Sequence, residues 1–119
     1  TYSGKVFNAT EAKEGGLIRS IHKPEELLNE ARLIANEIIQ SSSSVSVSLT
    51  RQMLWRMLGA DHPMEAHKID SRLIYELGRG EDVKEGVNSF LEKRSPDFPN
   101  KVSEDMPEYS SWWDEKKFT

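Results

Sequence analysis

Cysteine is absent, which excludes a disulfide framework and any thiolate metal site. No apolar run approaches the length needed to span a bilayer, and residues 1–16 do not resemble a signal peptide. Basic charge is scarce as well: 16 Lys and Arg against 20 Asp and Glu leave a formal net charge of −4. Phosphate backbones reward a concentrated basic patch, so nucleic acid is not expected as a partner, and without a spanning run neither is a membrane. Lack of cysteine points to an intracellular compartment, taken as cytoplasmic. There is no internal repeat at any solenoid period. The 119 residues fit one domain or a substantial piece of one, and only 36% are hydrophobic. Elements with one apolar face would then call for a partner surface that the chain does not supply. The first residue is Thr rather than Met, so the expectation is a polypeptide that begins further upstream.

What is present is mostly helical pattern. "NATEAKEGG" (8–16) begins with cap-type residues, continues with helix formers and ends on paired glycines, predicting a short helix stopped at a turn. "LIRSIH" (17–22) alternates imperfectly and predicts a brief strand, which would need a mate from elsewhere. "PEELLNEARLIANEIIQ" is the clearest helix, with Pro24 at its first position and Glu25 and Glu26 at the positive end of the dipole. Leu27, Ala31, Ile34 and Ile38 form its apolar stripe, widened by Leu28, Ala35 and Ile39. Val45, Val47 and Leu49 alternate with serines, yet Leu49, Met53 and Met57 share a helical face. A serine-rich N-terminus leading into a helix that stops at Gly59 is the more economical reading. Asp61 is placed to cap a further helix that starts at Pro63 and runs through Leu73 and Leu77 to Gly78. Gly80 opens the last helix, with Val83, Val87, Phe90 and Leu91 expected on its buried side. Prolines 96, 99 and 107 then break regular structure.

Few residues look able to do chemistry. His62 and His67 are five apart rather than three or four, and His22 lies in another element, so no metal site is expected. Serines 41–44 have neither a base nor an oxyanion hole beside them in sequence and read as a capped inter-helix connection. Glu65, Asp70, Glu76, Glu81 and Glu85 sit in highly charged helices, where a solvated face explains them. Lys93, Arg94 and Lys101, near Phe90 and Phe98, offer a grip for an anionic ligand. Basic residues in a last helical turn are also what the dipole favours, and on the residues alone that reading is the more economical. Trp112 and Trp113 suit either an interface or a tail that docks on its own chain.

Four pieces, in this order, resemble the C-terminal part of the crotonase superfamily, the enoyl-CoA hydratase/isomerase family. They are "SGKVFNATEAKEGGLIRSIH", the "ELL…A…A…I" helix, "SSVSVSLTRQMLW" and "AHKIDSRLIYELGRGEDVKEGVNSFLEKRSPDF", together spanning about residues 3–98. The family commonly has a proline beside the serine that opens its next helix; serine stands there in this chain. The resemblance implies a mainly α chain, the helical C-terminal region of a crotonase-like fold, with four to five helices and one short N-terminal strand. Residues 1–22 would then be a remnant of the end of the spiral core, 23–94 the helical domain, and 95–119 a Pro-rich acidic tail.

In the family, two backbone N–H groups stabilise the enolate-like oxygen of an acyl-CoA thioester, and hydratases use a pair of glutamates to add water. These groups lie upstream of the matched region, so no catalytic residue is assigned here and the chain alone is expected to be inactive. No cofactor is implied beyond the CoA thioester substrate. The helical part closes the acyl pocket and makes trimer or other homo-oligomer contacts. On that analogy Phe90 would line the ligand channel and Lys93 would meet a CoA phosphate. The competing expectation is a free-standing helical self-association module with no acyl-CoA role.

Overall fold

The computed structural model describes residues 2–108; the expectation for Trp112 and Trp113 lies outside them. The chain divides into two compact units, Thr1–Asn36 and Glu37–Thr119.

In the first unit, α1 (Ala9–Glu14) is set by its ends. The Asn8 side chain accepts from the Glu11 amide while the Glu11 carboxylate accepts from the Asn8 amide, a reciprocal capping box. Gly16 takes a φ of 74°, and the chain turns so that the Leu17 amide reaches the Ala12 carbonyl at 2.9 Å. The strand expected at 17–22 does not form. Alternation cannot satisfy backbone groups without a second strand, and none is present among the described residues. Helix α2 (Pro24–Ser41) begins at its proline as expected and crosses from the first unit into the second. None of its residues is buried, and Leu27, Leu28, Ile38 and Ile39 of its apolar side are exposed.

The second unit holds the remaining elements. Helix α3 (Ser44–Arg56) starts where the Ser43 hydroxyl accepts from the Ser46 amide, and a single 3₁₀ turn at Met57–Gly59 ends it. Helix α4 (Pro63–Leu77) is capped by His62 rather than Asp61. The ring Nδ1 of His62 accepts from the Met64 amide at 3.0 Å, immediately before the proline. Its end falls at Gly78, where an added Cβ would lie 2.7 Å from the Ile74 carbonyl oxygen. Helix α5 (Glu81–Glu92) follows Gly80 directly. The core is small: Val45 and Leu49 of α3 and Leu73 of α4 are 1%, 2% and 6% exposed. Met53, Ile69, Leu77 and Met106 pack around them.

Helix α5 corrects an expectation. Val83, Val87, Phe90 and Leu91 are exposed, Phe90 at 82%. The covered side, offset from them, carries Asp82, Glu85, Gly86 and Ser89, spaced for one face and overlaid by residues 97–100. The apolar stripe is open because no described residue of this unit lies over it. The polar side is closed because its carboxylates can hold backbone amides.

Candidate functional site

The site is built around the end of α5. The helix closes in a Schellman arrangement: the Arg94 amide donates to the Ser89 carbonyl at 3.0 Å and the Lys93 amide to the Phe90 carbonyl at 3.3 Å. The left-handed residue this turn requires is Lys93, at φ 56° and ψ 40°, where glycine is usual. Its side chain is exposed.

Arg94 turns back along the helix. Its Nη1 and Nη2 meet the two oxygens of Glu85 at 2.5 and 2.8 Å, and its Nε meets Glu92 at 2.6 Å. Glu85 also accepts from the Asp97 amide at 2.7 Å. The Arg94 guanidinium, and after it the Asp97 amide, hold the Glu85 carboxyl down to about 2. Glu85 holds Arg94 protonated still more firmly than usual. One helical turn earlier, Asp82 Oδ1 accepts from the Asn100 amide at 3.0 Å, while Oδ2 is buried with no hydrogen-bond partner among the described residues. The Ser44 hydroxyl completes the attachment by donating to the Asn100 carbonyl.

Above this scaffold lies an open groove of about 560 Å³, whose walls include Ser42, Asp82, Val87, Phe90, Leu91 and Phe98. The lining is largely apolar, with hydroxyls at the α3 end. Of the three cations singled out in the sequence, Arg94 is committed to Glu85 and Glu92, and Lys101 lies 3.5 Å from Glu104. Among the described residues Lys93 has no ion-pair partner, one residue past α5 and three beyond Phe90 in sequence. Lys93 is not one of the groove's lining residues; the groove itself offers apolar walls and a few hydroxyls, which suit the apolar part of a ligand.

Several of the other polar residues singled out in the sequence serve the fold. His62 caps α4, and His22 Nε2 sits 2.6 Å from the Ser20 hydroxyl. Among the described residues no three His, Cys, Asp or Glu side chains gather where they could hold a metal ion. The serine run caps and connects, as expected: Ser43 caps α3, and the Ser41 hydroxyl donates to the Glu37 carbonyl. Glu81 pairs with Lys84 at 2.6 Å. Two features were not singled out for this role in the sequence. Glu85 read as one more surface acid and Phe98 as an aromatic near basic residues. The signal was the spacing of Glu85, Arg94 and Pro96, which lets one carboxylate reach both a guanidinium and the amide after the proline.

The helices and their order agree with the mainly α, crotonase-like fold expected from the sequence. Residues 1–101 match the sequence model of the family Enoyl-CoA hydratase/isomerase, and the chain belongs to that family. It is 32% identical over 107 residues to an enoyl-CoA hydratase of Alternaria alternata, covering 89% of this chain and 36% of that protein. It is 37% identical over 97 residues to the (E)-benzylidenesuccinyl-CoA hydratase of Thauera aromatica, covering 81% of this chain and 37% of the relative. The fold is also that of a probable enoyl-CoA hydratase/isomerase from Mycobacterium abscessus. That crystal structure matches with a TM-score of 0.77 and 24% identity, over 84% of this chain and 41% of its own. The chain thus spans little more than a third of the length of these curated relatives. No described helix is long and apolar enough to cross a membrane.

Proposed function

We propose that this chain is the helical C-terminal part of an enoyl-CoA hydratase-type enzyme that adds water to a 2-trans-enoyl-CoA in fatty-acid metabolism. In that reaction the water oxygen bonds to the β-carbon, a proton goes to the α-carbon, and the thioester oxygen carries the transient negative charge. The groups that handle water and proton belong to the upstream part of the enzyme. This chain supplies the closing wall of the acyl-CoA pocket and contacts between subunits of a homo-oligomer, in the cytoplasm.

The observation that carries the reading is Phe90, 82% exposed on an open apolar groove, followed three residues later in sequence by Lys93, a cation with no ion-pair partner among the described residues. Phe90 contributes apolar contact to the ligand and Lys93 a positive charge for a CoA phosphate. Both side chains are free for this, since Phe90 packs in no core and Lys93 joins no ion pair among the described residues.

The test starts with the native protein in its source cells, blotted with antibody raised against this chain. A species well above 13.6 kDa is expected, and the purified species should hydrate a 2-trans-enoyl-CoA. Lys93→Ala in that protein should raise KM several-fold while leaving kcat nearly unchanged, since a remote phosphate contact binds ground and transition states alike. A native species of about 13.6 kDa would instead favour a self-association module.

A further inference from the structure

Phe98 shares the groove with Phe90 but is held quite differently. Phe90 projects from an open helix face, whereas Phe98 is half-buried and packs over α5, where a methyl added at Gly86 would touch its Cε1 at 3.7 Å. The backbone on both sides of Phe98 is anchored. The Asp97 amide is fixed to Glu85 at 2.7 Å, and the Asn100 amide is fixed to Asp82 at 3.0 Å. Pro99 restricts Phe98 to extended backbone, and Pro96 fixes φ just before the anchor at Asp97. Glu85 is itself clamped by both terminal nitrogens of Arg94. A carboxylate so engaged has little freedom to act on a substrate, but it fixes what hangs from it.

We infer that Phe98 is a ligand-facing wall of this groove and that Glu85 is its positioning residue, acting through the Asp97 amide. The ligand part of this inference rests on the acyl-CoA reading; the positioning part stands on the hydrogen bonds alone. Phe98 supplies a ring held at a fixed place, against which Phe90 and Leu91 can adjust to the apolar part of the bound molecule. The clamp sets the width of the groove at that wall and so contributes to which apolar groups fit.

The test uses the full chain labelled with carbon-13 in its phenylalanine rings and titrated with octanoyl-CoA, with CoA alone and octanoate as separate arms. Octanoyl-CoA should shift the ring signals of both Phe90 and Phe98. Phe98→Ala should weaken its binding by about tenfold, as expected for removing one apolar wall. Glu85→Gln and Arg94→Lys should move the Phe98 signals in the free protein and weaken octanoyl-CoA binding. Helical circular dichroism and the free-state Phe90 signals should stay in place, which a general loss of fold would not allow. If octanoyl-CoA moves Phe90 and leaves Phe98 untouched, the ligand-facing role is overturned and the acyl-CoA reading survives. If neither ring responds to any arm, in this chain or in the longer native protein, the acyl-CoA reading falls and takes the ligand-facing role with it. Phe98 signals unchanged by both Glu85→Gln and Arg94→Lys overturn the positioning role whatever the ligand does.

Discussion

Lys93 occupies a backbone conformation that costs a residue with a β-carbon about 1 kcal/mol or more, and it has no ion-pair partner among the described residues to offset that cost. Strain of this kind persists where a side chain is wanted for something other than folding. Lys93→Gly should therefore raise the stability of the helical unit by about 0.5–1 kcal/mol in urea denaturation, while weakening its hold on CoA. A variant that is both more stable and equally good at binding CoA would remove the reason for placing the phosphate at Lys93. Glu85 makes the opposite kind of contribution. Its carboxyl titrates near 2 in the folded chain instead of the usual 4.5, so the folded state prefers the charged form. That preference stabilises fully above about pH 4.5 and is lost as the pH falls through about 2. Thermal unfolding followed between about pH 5 and 2 should show this loss, and Glu85→Gln should flatten that part of the profile.

The helices of the second unit depend on their ends more than on their propensities, because few of their residues are buried. Ser43 is a case in point: its hydroxyl accepts the Ser46 amide at 3.2 Å beside the small Val45–Leu49 core. Ser43→Ala should destabilise the unit by about 1 kcal/mol, read as a lower urea midpoint with an unchanged slope. This cap was legible in the sequence because serine before an apolar helical stripe has one economical explanation. The start of α4 was legible only in part. Pro63 marked the first helical position, but both residues before it offer an acceptor, and histidine ranks low among caps until its ring is seen to face the Met64 amide. The strand at 17–22 failed for a different reason. Periodicity describes which side chains share a face, and it does not supply the neighbour whose backbone a strand must bond. In α5 the pattern picked out the apolar face correctly but could not tell whether anything lies over it. The groove was invisible for the same reason, since Ser42 and Phe98 are distant in the chain and come to line one groove only once it folds.

Apolar surface that is patterned for burial but left open has to be dealt with by the molecule as a whole. In the first unit and along α2 the open residues include Leu27, Leu28, Ile38 and Ile39. In the second, Leu54, Trp55 and Leu58 lie open around the end of α3, and Val83, Val87, Phe90 and Leu91 lie open on α5. Complete burial of such a side chain contributes about 1.5–3 kcal/mol, and these are already partly covered, so each would yield less. Half a dozen together still reach the roughly 4–15 kcal/mol that association typically costs in lost freedom, which puts weak self-association within reach of the chain alone. In the longer enzyme proposed above, the same faces would be taken by an upstream part of the polypeptide or by neighbouring subunits. Sedimentation velocity over roughly 1–100 µM should accordingly show a concentration-dependent rise in mass for the isolated chain. Supplying the upstream part of the enzyme in trans should replace that self-association with a defined heteromeric complex, because one face cannot serve both partners at once. A chain that stays monomeric across this range, and ignores the upstream part, would mean that its open stripes are tolerated by water and are not interfaces at all.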